Sequence, residues 1–471
     1  MWKNNVFNRP IKMQFTNKRK YKYFIFFMAI LLIAVIALNF FKKIKRPNII
    51  LITIDAVRAD HLSCYGYGRF TTPNIDKLAA GGALFLQAIA PSTDTYYSVP
   101  AIITSTYSHY HGIKDKRNAL VNPLVPTFAE ILSKNNYCTG LFSNGYSFSH
   151  IKGVDRGFGT FVVNGNIAAD ELTNISLKWL KSKGKRNFLL WIHYLEPHAP
   201  YTPPFPYGTL YIKDKFNTND KNISIGSSDK TWGGLKIIPY IVAQNNITSV
   251  NYYISQYDGE IKFVDEQIGV LLDKLKVLKL DKNTLIVITA DHGESLGEHN
   301  RYFQHGGMPF DALLHVPLVF KYEPLALKDK KITRQVSSAD IFPTILEILK
   351  IKCPKAIYGK SLLGLIQGKT KNRDPYIFIK AQIIDHNLAY SLRTEKWKLI
   401  YSTKDKKYYL YDLKNDKDEL NDVKDIKKAE FKFLSKKLDE WRDREESVVF
   451  SVDTPSFDRD AIEKLKSLGY L

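Results

Sequence analysis

Three stretches of this chain share one design. PNIILITID (47–55), NFLLWIHYLEPH (187–198) and NTLIVITADHGE (283–294) each run through apolar residues, many of them β-branched in the first and third, and end in Asp, His or Glu. Apolar runs of this length, bounded by turn-forming residues, suit strands buried on both faces, and such strands belong to parallel sheets covered by helices. Helical periodicity fills the intervals, around 74–80, 97–106, 125–135, 167–182, 250–278 and 337–350, the last with Ser338 or Asp340 as its N-cap. Alternation of this kind predicts an α/β domain over 47–375 with a mostly parallel central sheet and helices on both faces. Ligands of such sheets bind beyond the carboxyl ends of the strands, where the polar bursts fall. Residues 201–249, rich in Pro, Gly, Asn and Lys, read as an irregular excursion beside the site, in the manner of a lid. Strand-like alternation in AYSLRTEKWKLIYS and KKYYLYDLKNDKDE, then a charged amphipathic helix over about 426–446, predicts a small α+β subdomain at 376–471.

The N-terminus is built differently. Residues 1–22 form a basic tail, and 23–41, YFIFFMAILLIAVIALNFF, carry no charge before KKIKR follows. The run is long enough for a hydrocarbon core and lacks a small-residue cleavage site, so it predicts one retained transmembrane helix. The basic tail would be cytoplasmic and the catalytic domain extracytoplasmic. The net charge is +21, but the first 46 residues hold eleven Lys or Arg and no acidic residue, about half of the excess. What remains is a diffuse lysine-rich surface, which argues against a nucleic-acid partner. Cys64, Cys138 and Cys353 have no metal-type spacing.

Asp55 ends the first apolar strand, and Asp291 and His292 end the third. A single carboxylate there could cap the next element. Two carboxylates and an imidazole at the ends of two such strands suit a divalent cation. STDTYYS, residues 92–98, adds four hydroxyls ahead of an apolar helical run, so Ser92, Thr93, Thr95 and Ser98 are all candidate nucleophiles.

PNIILITIDAVRADHLSCYGY, TTPNIDKLAAGGALF, TADHGESLGEH and LYDLKNDKDEL resemble, in order along the chain, the sulfatase family of the alkaline-phosphatase superfamily. The resemblance implies the alkaline-phosphatase-like α/β fold with a small C-terminal subdomain. With IITS and YSHYHGI setting the register, Thr95 matches the position that sulfatases fill with Cys or Ser and oxidise to formylglycine. Thr at that position resembles the phosphoglycerol and phosphoethanolamine transferases, so no formylglycine is expected. Asp55, Thr95, Asp291 and His292 then form a single-metal donor set. Asp55-Ala56 and Asp291-His292 stand where sulfatases often have Asp-Asp and Asp-Asn, which favours Mn or Zn, with Ca and Mg as alternatives.

His198 in EPHAPY and His305 in FQHGG match family substrate-site positions and are expected to bind the anion or protonate the leaving oxygen. Arg58 and His193 are candidate substrate contacts; a salt bridge holding the loop and a core imidazole are the respective alternatives. His109 and His111 brace a helix end or join the site. Asp258 and Asp265 read as structural, and Glu294 and Glu298 as supports of His292 or surface residues. The leading expectation is a membrane-anchored, metal-dependent enzyme acting on a phosphate or sulfate ester through Thr95, by phosphoryl transfer or hydrolysis. Its substrate would be an anionic ester, lipid-linked or part of an envelope polymer. The alternatives are a sulfatase in the ordinary sense and a non-catalytic, anion-binding relative.

Overall fold

The computed structural model describes residues 22–31 and 46–447, apart from 114–115, 117–118, 213–219, 228–233, 356, 371–372 and 384–386. The chain divides into two units, Met1–Arg46 and Pro47–Leu471. In the first, residues 22–31 are helical. That span is about 15 Å long, half the thickness of a hydrocarbon core. Among the described residues no helix is long and apolar enough to cross a membrane, which overturns the single-pass reading of 23–41 and the extracytoplasmic placement built on it. The rest of that apolar run, 32–41, lies outside the described residues.

The second unit is built on an eight-stranded sheet. Its strands in chain order are β1 (Asn48–Ile54), β2 (Ala83–Phe85), β3 (Cys138–Ser143), β4 (Thr160–Val163), β5 (Phe188–Tyr194), β6 (Thr284–Ala290), β7 (Leu318–Lys321) and β8 (Lys330–Ile332). They lie side by side as β8-β2-β7-β6-β1-β5-β3-β4. The sheet is mixed: β7 alone runs against its neighbours β6 and β2, and the remaining pairings are parallel. The three apolar runs became the adjacent strands β5, β1 and β6, and every residue of each is buried. Burial on both faces requires hydrophobic side chains at every position, which is why these strands read as continuous runs and not as alternations.

The helices lie close to their expected spans: α1 (Pro73–Ala80), α2 (Thr95–Thr104), α3 (Ala169–Lys183), α4 (Val250–Val277) and α5 (Ile341–Ile348). Side-chain caps explain the starts of α2 and α4. The Asp94 side chain accepts from Tyr96 N at 3.0 Å ahead of α2, and Ser249 accepts from Tyr252 N at 3.0 Å ahead of α4. Asp265 on α4 takes up the amides of Asn74 and Ile75 at the start of α1, the structural role expected of it. Asp258 is likewise structural, pairing with His61 and Arg69 at 2.7 Å each.

A second sheet of four antiparallel strands, β9 (Ile377–Gln382), β10 (Leu388–Arg393), β11 (Trp397–Ser402) and β12 (Lys407–Asp412), is followed by α6 (Lys428–Ser447). Leu434, Leu438 and Trp441 of α6 are buried with Tyr390, Leu392, Leu399 and Leu410 of this sheet. A buried ion network ties the sheet to the large one. Asp311 accepts from Arg393 Nη2 at 2.7 Å and Nε at 3.0 Å and from Lys398 Nζ at 2.5 Å, while Lys398 also reaches Glu419 Oε1 at 2.8 Å. Burial alone would raise the Asp311 pKa, but the two cations hold it well below the usual carboxylate range. Removing one partner would leave Arg393 and Lys398 buried without full compensation. Asp311→Ala is therefore expected to cost about 3–5 kcal/mol in a urea titration.

Candidate active site

In-register pairing assembles the site. Thr53 lies opposite His193 on one side and Thr289 on the other, and Ile54 lies opposite Tyr194 and Ala290. Asp55 and Asp291, each one residue beyond a strand end, therefore emerge at the same level, with His193 just below them on β5. Asp55 N donates to Tyr194 O at 2.8 Å. The chain turns sharply at Ala56, a non-glycine residue at φ 56°. Tyr257 of α4 fastens this turn: its hydroxyl donates to Ala56 O at 2.8 Å and accepts from Arg58 N at 3.0 Å.

Asp55, His193 and Asp291 are fully buried, and one ligand atom from each lies within 4.8 Å of the others. His193 Nε2 stands 3.4 Å from Asp55 Oδ2. Asp55 Oδ1 and Asp291 Oδ2 accept no hydrogen bond. His292 Nε2 is 3.4 and 3.7 Å from those same two oxygens. Buried carboxylate oxygens left without donors are costly unless a cation takes them up, so the donor set fits a divalent ion. Burial alone would raise the Asp55 pKa, but the His193 hydrogen bond, with His198 and His292 nearby, holds it well below the usual range. Burial works the other way on His292, yet Asp291 and Asp55 raise it. His193, expected as a substrate contact or a core imidazole, instead belongs to this cluster.

His193 is held from behind. Its Nδ1 lies 2.8 Å from Thr53 Oγ1, which also accepts from Trp191 Nε1 at 2.9 Å. To ligate through Nε2, His193 keeps its proton on Nδ1 and donates it to Thr53, so the hydroxyl oxygen accepts twice.

The four hydroxyls of STDTYYS separate cleanly. Ser92 Oγ donates to Lys380 O at 2.7 Å, Thr93 Oγ1 to Gly307 O at 3.4 Å, and Ser98 Oγ to Ser92 O at 3.1 Å. Thr95, the first residue of α2, points instead at the cluster, with Oγ1 3.2 Å from His292 Nε2. His292 Nδ1 faces Gly293 O at 2.9 Å, which fixes a proton on Nδ1 and leaves the Nε2 lone pair toward Thr95 and the carboxylates. Beyond His292 the rings of His305 and His198 continue, with centroid separations of 4.5 and 4.7 Å. His305 Nδ1 also faces Glu294 Oε1 at 3.5 Å, and burial together with His292 lowers its pKa.

Arg58 is not in position to contact an anion. Its guanidinium is bound by Asp60 at 2.7 Å, Glu298 at 2.6 Å and Glu294 O at 3.2 Å, so the loop salt bridge describes it and Glu298 together. His109 is likewise a brace, bound between Glu445 of α6 and the Tyr358 hydroxyl. His111 is buried, which lowers its pKa to about 3.

The sequence pattern of the sulfatase family matches residues 47–351, well over half of the chain. The protein belongs to the sulfatase family. The pattern described as N-sulphoglucosamine sulphohydrolase, C-terminal, matches residues 297–444 of this sulfatase-family chain. Among curated proteins, an N-acetylglucosamine-6-O-sulfatase of Bacteroides thetaiotaomicron is 25% identical, with 88% of this chain and 90% of the relative covered. An arylsulfatase of Clostridium perfringens is also 25% identical over 82% and 92%. Among solved structures, one in complex with D-glucosamine-2-N,6-O-disulfate superposes with a TM-score of 0.71 at 21% identity, covering 85% of this chain and 98% of that one. The phosphonate monoester hydrolase of Agrobacterium radiobacter does so at 0.70 and 20%, covering 85% and 96%. These likenesses establish the sulfatase fold, with its mixed central sheet and small C-terminal sheet. The sulfatases among its curated relatives also favour the ordinary sulfatase reading over phosphoryl transfer.

The hydroxyl behind His193 offers a clean test of the cluster. Thr53→Val keeps the shape but removes the oxygen that orients His193, and is expected to weaken divalent-cation binding about 10- to 100-fold by calorimetry.

Proposed function

We propose that this sulfatase-family chain hydrolyses a sulfate ester carried on a sugar or an aryl group, using a divalent cation that Asp55, His193 and Asp291 would hold, with the His292 Nε2 lone pair left for the Thr95 proton. Among the hydroxyls of STDTYYS, Thr95 alone faces His292, and that observation carries the reading. The sugar and aryl sulfatases among its relatives support the substrate class. A bound cation would supply positive charge to the ester oxygens and lower the pKa of a coordinated hydroxyl. Two carboxylates with an imidazole donor favour Mn or Zn over Ca or Mg.

The chain's own groups account for the proton movements. Thr95 Oγ1 attacks sulfur and passes its proton to His292 Nε2, 3.2 Å away. The S–O bond to the alcohol breaks, and His305 or His198 protonates the departing oxygen. Water then attacks sulfur and releases Thr95 with sulfate.

A second reading uses the same residues on a phosphate or phosphonate ester, and Thr95 itself favours it. A formylglycine hydrate expels sulfate by collapsing to an aldehyde, and a threonine sulfate has no such exit, whereas phosphothreonine is readily attacked at phosphorus. Aryl sulfate, aryl phosphate and an aryl phosphodiester, each assayed with Mn, Zn, Mg and Ca, separate the two readings by their kcat/KM. Thr95→Ala is expected to lower kcat at least about 1000-fold on the preferred ester. Sulfate turnover that survives Thr95→Ala would remove threonine from the reaction, and a preference for phosphate would put the second reading first.

A further inference from the structure

We propose that Lys116 is a substrate-binding residue whose ammonium takes a non-bridging oxygen of the anionic ester. The proposal rests on the functional reading above and adds to it a cation that the sequence motifs did not single out. Asp55 and Asp291 together neutralise a bound divalent ion, so an arriving anion gains little net attraction from the cluster alone. Arg58, the nearby guanidinium, is engaged by Asp60 and Glu298.

Lys116 lies at the seam of the two loops that carry the reacting groups. Its Nζ is 2.6 Å from Asp94 Oδ2, on the residue immediately before Thr95. It also lies 4.0 Å from the point that a Cβ on Gly306, immediately after His305, would occupy. The loops meet there, since Gly306 N donates to Thr93 O at 2.9 Å. Gly306 is at φ +71°, a conformation that favours glycine, so no side chain stands between this turn and the ammonium.

Two features make this lysine available to a ligand. Its side chain is 37% exposed, against 3% for Asp94. An ammonium has three N–H donors, and its contact with Asp94 is an ion pair in which Asp94 Oδ2 accepts no hydrogen bond. The Asp94 cap is independent of Lys116, because it is Oδ1 that accepts from Tyr96 N. Lys116 can therefore bind an ester oxygen without releasing Asp94 and without disturbing the start of α2.

The experiment uses the full chain loaded with its preferred cation and has two arms. In the first, Lys116→Ala is expected to raise KM for the preferred aryl ester about 10- to 100-fold, with kcat less affected and the thermal midpoint unchanged, and Lys116→Arg to restore most of the loss. In the second, calorimetry with inorganic sulfate and inorganic phosphate is expected to show the same weakening for Lys116→Ala, while Asp94→Asn leaves anion affinity unchanged or tighter. Anion affinity and KM within twofold of the parent in Lys116→Ala would overturn the proposal. So would Asp94→Asn reproducing the Lys116→Ala defect together with a lowered thermal midpoint, which marks a clamp on the loop. Absence of turnover on every ester would count against the functional reading, and the anion-binding arm would still decide Lys116.

Discussion

The parallel register that joins β1 to β5 on one side and β6 on the other governs this molecule. Because Ile54 pairs with both Tyr194 and Ala290, the residues one step beyond the strands face each other at one height. A shift of one residue in either pairing would turn Asp55 or Asp291 to the opposite face of the sheet and leave an unpaired carboxylate in the core. The register is defended by the apolar residues that precede the site, every one buried, so the hydrophobic core and the cluster of charged groups are specified together.

The small sheet has a share in the same site. Strand β9 accepts Ser92 Oγ at Lys380 O, holds the Tyr97 hydroxyl at Gln382 Oε1 within 3.1 Å, and takes Gly307 N at Gln382 O within 3.0 Å. One strand therefore fastens both the loop that presents Thr95 and the loop that presents His305. Helix α6 backs it up, since Glu445 binds His109 and Ser108 and lies 3.7 Å from Lys380 Nζ. The placement of Thr95 beside the imidazoles therefore depends on the C-terminal subdomain as well as on the large sheet.

Charge placement completes the arrangement. Buried carboxylates that belong to the frame have donors of their own: Asp258 has His61 and Arg69, and Asp311 has Arg393 and Lys398. Asp55 Oδ1 and Asp291 Oδ2 accept no hydrogen bond, and among the described residues no lysine or arginine pairs with either acid, whose charged neighbours are His193 and His292.

The sequence by itself determined the class of fold, the strands that carry the site, and Asp55, Asp291 and His292 at their ends, because apolar runs and the residues that terminate them are local patterns. The register with the family motif also singled out Thr95 from the other hydroxyls of its loop as the residue to examine. Only the tertiary structure decided that Ser92, Thr93 and Ser98 are tied to backbone carbonyls, that His193 joins the two carboxylates, that Arg58 is held by Asp60 and Glu298, and that Lys116 reaches Asp94. It also corrected the apolar run at 23–41, whose composition has the length for a membrane while no described helix does. The reason is common to all of these. Hydroxyl direction, imidazole pairing and guanidinium partners depend on groups up to some 290 residues apart in the chain, as with Ser92 and Lys380, and no local periodicity encodes such contacts.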